Sequence, residues 1–120
     1  MAPCDAAAAV WSLRSHGHLV LSGATDGSLR AWDLRAGCGP IMQREHAHAD
    51  AIAGLQLEGD RTVLTASFDS TVKMWDARMG FQLRATLPAP AGTRCTRLAF
   101  DDTRIVTGSL NQSIVCFDVL

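Results

Sequence analysis

The sequence predicts an all-β protein built from three copies of one sheet-forming unit. Three observations carry that reading. A block of residues recurs without gaps at 22–33, 65–76 and 107–118. The copies end on Trp32-Asp33, Trp75-Asp76 and Phe117-Asp118, with 43 residues between the first two aromatics and 42 between the last two. Ahead of each block lie an alternating run and a continuous apolar run, parted by a polar turn. Short strands and turn signals recurring at a fixed period mark a stacked β architecture.

Each strand of the unit has its own justification. The first is an alternating stretch: Val10 to Leu13, Ile52 to Leu57, Cys95 to Phe100. Alternation at period two marks a half-buried strand. A polar turn follows, as in Glu58-Gly59-Asp60-Arg61. The second strand is continuously apolar, at Leu19-Val20-Leu21, Val63-Leu64 and Ile105-Val106. Strands covered on both faces read this way. A tight turn comes next, at Asp26-Gly27, Asp69-Ser70 and Asn111-Gln112. Asp-Gly is a strong hairpin signal because glycine accepts positive φ. The third strand alternates up to the aromatic-Asp pair. A fourth is expected at 41–45 and 81–87. A four-stranded unit with a period of about 40–45 residues is a β-propeller blade. The expected units are 1–45, 46–90 and 91–120, the last without its outer strand.

Composition bounds the function. Apolar residues make up 48% of the chain, ample for a packed core, and the formal charge is −1. Such a balance gives no electrostatic reason to expect nucleic acid or an anionic membrane as partner. The uncharged stretch at 6–13 is too short to span a bilayer and has no basic leader. Cys4, Cys38, Cys95 and Cys116 form no C-x-x-C pair, which removes support for zinc-knuckle or redox sites. Reduced thiols in an intracellular compartment are expected, cytoplasmic with the nucleus also compatible. Cys95 and Cys116 lie in apolar runs and are expected to act as small hydrophobes. No cofactor is expected.

These blocks resemble the WD-repeat family over nearly the whole chain. The resemblance implies a buried polar chain in the second blade: Asp69 to His48, His48 to Thr65, and Thr65 to the Trp75 indole. A closed chain of this kind satisfies groups that would each cost roughly 1–3 kcal/mol if buried alone. The first blade has Ser22, Asp26 and Trp32 but Ala6 in the histidine position; the third has Thr107, Asn111, Phe117 and Ala91. The second blade is therefore expected to be the more stable. Thr65, His48 and Asp69 are also the residue types of a hydrolase triad, a reading disfavoured because the hydroxyl would be occupied by Trp75. In the family, the residue before the hairpin acid lies on the rim where partners dock: here Thr25, Phe68 and Leu110.

Other signals are weaker. His16-Gly17-His18 and His46-Ala47-His48 could place two imidazoles on one strand face, but H-x-H alone lacks the ligand count of a metal site. Arg30, Arg35, Lys73, Arg78 and Arg84 are expected on solvated strand faces. Gly23, Gly27 and Gly37 read as turn glycines. Three blades cannot close a ring, since propellers use about four to eight. The expected remedy is missing blades from a longer parent chain, or self-association of half-rings. The texture of 10–14, 27–33 and 73–80 is similar to the WD-repeat half of F-box/WD-repeat proteins. That similarity implies capture of a degradation substrate for a cullin-based ubiquitin ligase. A generic scaffold in signalling, trafficking or RNA processing is the alternative, and no F-box is present here.

Overall fold

The computed structural model describes residues 8–35, 39–58, 61–90, 94–100, 104–110 and 113–118. Cys4, Cys38, Ala6, Gly37, Ala91 and Asn111 lie outside them. The described chain is all-β apart from one 3-10 turn at Ala77–Met79, and it contains no helix long and apolar enough to cross a membrane.

Three antiparallel sheets follow one another. The first is β1 (Val10–His16), β2 (Leu19–Ala24), β3 (Leu29–Asp33) and β4 (Pro40–Arg44) in that order. The second is β5 (Ile52–Glu58), β6 (Thr62–Ser67), β7 (Thr71–Asp76) and β8 (Gln82–Pro88). The third holds β9 (Cys95–Phe100), β10 (Arg104–Ser109) and β11 (Ile114–Asp118), with β10 in the middle. The first strands of the sheets, β1, β5 and β9, pack side by side, so the sheets stack as successive blades. The β6–β7 register pairs Val63 with Trp75 and Thr65 with Lys73; the β2–β3 register pairs Val20 with Trp32 in the same way.

Two apolar layers hold the stack. Leu21, Leu29 and Ala31 of the first blade meet Ile52, Leu55, Val63 and Trp75 of the second. Leu64, Ala66 and Val72 of the second meet Cys95 and Ile105 of the third. Val63 and Leu64 are neighbours in sequence, point to opposite faces, and are both fully buried. That arrangement accounts for the unbroken apolar run of β6: the middle blade has a neighbour on each side.

Close approach replaces side chains at the blade joints. Gly27 has φ +82, and a Cβ there would overlap the backbone carbonyl oxygen of His48 in the next blade. The same glycine accepts the His48 amide at 3.1 Å. Ser12 Oγ donates to the Ile52 carbonyl across this joint. Ser70 takes positive φ, +69, where the first blade uses Gly27.

Three expectations need correction. Arg30 is not solvated: it is 6% exposed and donates to Ser28 Oγ at 2.6 Å. Its partner position, Lys73, is half-buried and donates to the Ala47 carbonyl at 2.6 Å. In each case the charged end finds an oxygen acceptor within the protein. Cys116 is exposed, because alternation along β11 turns Val115 and Phe117 inward and Cys116 outward; Cys95 is fully buried. β1 is largely exposed rather than half-buried, and its run is not a simple alternation.

Candidate functional site

The polar cluster of the second blade is built from four elements. The loop before β5 supplies His48, the end of β6 supplies Thr65, the β6–β7 hairpin supplies Asp69, and β7 supplies Trp75. The Trp75 indole N–H donates to Thr65 Oγ1 at 3.0 Å. Thr65 Oγ1 stands 2.6 Å from His48 Nε2, and His48 Nδ1 stands 3.0 Å from Asp69 Oδ2. With Asp69 accepting from Nδ1–H, the free lone pair of Nε2 accepts the Thr65 hydroxyl proton. Every link then has one donor and one acceptor.

Burial holds the His48 pKa below the ordinary imidazole value, outweighing the pull of the Asp69 carboxylate. The ring, fully enclosed, is neutral. Burial also pushes Asp69 up, but the Thr71 hydroxyl, the His48 ring and the Ala49 amide together hold it below its usual range. Asp69 Oδ1 takes both the amide and the hydroxyl of Thr71, at 2.9 and 2.5 Å. The first blade repeats this clamp with Asp26 and Ser28, and repeats the indole bond from Trp32 to Ser22 at 3.0 Å. In the third blade Thr107 is fully buried, and its hydroxyl reaches the Val115 carbonyl at 3.5 Å.

The histidine pairs do not converge on an ion. His46 is exposed with φ +58, whereas both ring nitrogens of His48 are engaged inside the blade. His16 and His18 are exposed on either side of Gly17. Among the described residues no group of three or more His, Cys, Asp or Glu side chains is arranged to hold a metal.

Thr25, Phe68 and Leu110 occupy one repeated position. Their amides donate to the carbonyls of Ala9, Ala51 and Arg94 respectively, at 2.9, 3.0 and 3.1 Å. Thr25 and Phe68 are half-buried, and Leu110 is 61% exposed. The Phe68 ring meets Trp11 of the preceding blade edge-on, with centroids 5.4 Å apart. On the other side the Arg94 guanidinium of the next blade lies 5.6 Å from the Phe68 centroid.

Sequence reasoning missed Trp11 as a member of this surface. Each inner strand carries a register shift at the same place, which leaves Trp11, Ala53 and Thr96 as the extra residues. A bulge re-aims a side chain without altering the strand's composition, so an alternating run of letters gives no warning of it. The three bulge residues line one open cleft of about 380 Å³ with Arg97 and Leu110. It continues along the inner strands, past Leu13, Arg14 and Leu98, into a second hollow of about 290 Å³.

Comparison with known proteins sets this geometry in a family. The family model "WD domain, G-beta repeat" matches residues 4–33 and 40–76, more than half of the chain. The chain is 30% identical over 106 residues to the target of rapamycin complex 1 subunit mip1 of Schizosaccharomyces pombe, covering 86% of this chain and 8% of that protein. It is 31% identical over 109 residues to F-box/WD repeat-containing protein 9 of Bos taurus, covering 91% and 23%. It is 35% identical over 75 residues to the human peroxisomal targeting signal 2 receptor, covering 61% and 23%. The chain thus spans less than a quarter of each of these relatives. Among solved structures, the Cps50 (Swd1) β-propeller domain of Myceliophteria thermophila superimposes with a TM-score of 0.79 at 18% identity, over 92% of this chain and 36% of that one. The designed protein Ika4 superimposes with a TM-score of 0.76 at 25% identity, over 92% and 66%. With its family model matched across two blades and the blade geometry of a β-propeller throughout, this chain belongs to the WD40-repeat family.

Proposed function

We propose that the chain is a protein-interaction scaffold whose working surface is the rim carrying Thr25, Phe68 and Leu110. One observation carries this: Trp11, 51% exposed, meets the Phe68 ring edge-on and shares an open cleft with Leu110, 61% exposed, on a surface backed by stacked blades. Rigidly mounted aromatic and aliphatic groups left half in water are good anchors for a partner. The test is affinity purification of the full-length parent against its Phe68→Ser, Leu110→Ser double variant. Loss of the co-purifying proteins from a variant that still unfolds cooperatively is the expected result; identical partner lists would refute the rim.

A finer reading is substrate recognition for a cullin-based ubiquitin ligase. It draws on the 31% identity with the ninth F-box/WD repeat-containing protein across 91% of this chain. The same purification separates it from a general scaffold in signalling, trafficking or RNA processing. Recovery of adaptor and cullin subunits favours the ligase; their absence favours the scaffold. The blades that complete a ring come from the parent chain or from a second copy, a choice that sedimentation of the isolated chain decides. Cytoplasm or nucleus is the compartment that goes with this reading, checked by localising the tagged parent.

The Thr65–His48–Asp69 chain is structural on this reading, not catalytic. Thr65 is fully buried, and its hydroxyl is taken by the Trp75 indole as well as by His48. A nucleophile needs an open path and an oxyanion hole. Labelling of Thr65 by a serine-directed phosphonate would overturn that assignment.

A further inference from the structure

The cleft beside the rim has a charge pattern that narrows the partner. Arg94, Arg97 and Arg14 are all exposed, and all come from the inner strands or the loop entering them. Among the described residues none of the three has a carboxylate within ion-pair distance, whereas Arg35, Arg84 and His48 do. Arg94 lies over the Phe68 ring, its guanidinium carbon 5.6 Å from the centroid. Arg97 lines both hollows of the cleft, and Arg14 lines the deeper one. Beside these cations the cleft is also lined by Trp11, Leu13, Leu98 and Leu110.

From this arrangement we infer that the occupant is an acidic peptide segment of a partner protein, one that alternates carboxylates with an aliphatic side chain. The inference rests on the rim reading above and adds the partner's chemistry to it. The aliphatic group enters between Trp11 and Leu110, where the bulge of β1 has turned the indole into the cleft. Flanking carboxylates take the edges of Arg94 and Arg97, and a third reaches Arg14 deeper in. Planar guanidinium forks suit carboxylates, and a stacked arginine gives up little rotational freedom on binding. The near-neutral charge of the whole chain, −1, conceals this local grouping of three arginines.

The test is a fluorescence-anisotropy titration of the full chain. The probe is a labelled Ser-Gly-flanked peptide containing Asp-Leu-Glu, set against its Asn-Leu-Gln counterpart. The acidic peptide is expected to bind at least about tenfold more tightly, to weaken as salt rises, and to lose about tenfold with Arg97→Gln or Arg94→Gln. Both arginines are exposed, so these variants keep the parent's denaturation midpoint. Equal binding of the two peptides, lost only with Trp11→Ser, would overturn the acidic partner while leaving the rim reading intact. No binding of either peptide, or binding indifferent to all three variants, would overturn the inference. The rim reading then stands or falls by the purification with Phe68→Ser and Leu110→Ser.

Discussion

Thr65→Val is the substitution that most directly weighs the buried polar chain. Valine keeps the volume and branching of threonine, so the core is not opened. It removes one hydroxyl that serves two partners: it accepts from Trp75 Nε1 at 3.0 Å and donates to His48 Nε2 at 2.6 Å. Trp75 and His48 are 4% and 1% exposed, so neither nitrogen can turn to solvent. Two orphaned buried groups at roughly 1–3 kcal/mol each imply a loss of about 2–6 kcal/mol. Even the lower figure corresponds to a fall of roughly 10 °C in melting temperature for a domain of this size. Thr107→Val is the matched control. That residue is equally buried, but Phe117 has no N–H to offer, and the hydroxyl makes a long bond to the Val115 carbonyl. Its replacement is expected to cost less than about 1 kcal/mol, since buried polar groups without strong partners add little. Urea denaturation of the two variants, followed by circular dichroism, checks the difference. Equal midpoints at unchanged slope would refute the claim that the chain of four stabilises its blade.

Three more outcomes are expected. Gly27→Ala combines positive φ with overlap onto the His48 carbonyl, and should cost about 2–4 kcal/mol; Gly17→Ala, at φ +60 with open space around it, should cost about 1 kcal/mol. Indistinguishable melting curves for that pair would remove the steric part of the argument. His48 binds its proton less readily in the fold than in the unfolded chain. Stability is therefore complete above about pH 6.5 and declines as pH falls below it, with a further loss below about pH 4 as Asp69 protonates. His48→Gln should flatten the first decline, as read from denaturation midpoints at a series of pH values. Trp32→Phe should cost less than Trp75→Phe, because the Trp32 indole is only half-buried while Trp75 is 4% exposed; calorimetry compares them.

Much of this architecture is legible in the letters. Turn chemistry at Asp26-Gly27 and the unbroken run at Val63-Leu64 are local causes, and each sets a strand boundary or a doubly covered strand. The polar chain of Asp69, His48, Thr65 and Trp75 is expected from the family resemblance, and its bonds are found in the second blade. Features that depend on contacts made only once the strands have assembled are not legible. Arg30 is buried because Ser28 stands ready to accept from it, a pairing invisible until the hairpin closes. Trp11 joins the rim because β1 bulges, and the bulge comes from how β1 seats on β2. The restriction on Gly27 belongs to the loop of the next blade, some twenty residues on.

The joint between Gly27 and His48 gives one histidine two allegiances. Its amide is tied to the first blade, while its ring is tied to Thr65 and Asp69 of the second. Exchange of the His48 amide proton with solvent therefore requires the two blades to part, and parting them pulls on the ring. The opening of that seam and the loosening of the second blade become a single cooperative event. In a stacked protein whose stability is otherwise a sum over neighbours, this residue makes two units melt as one.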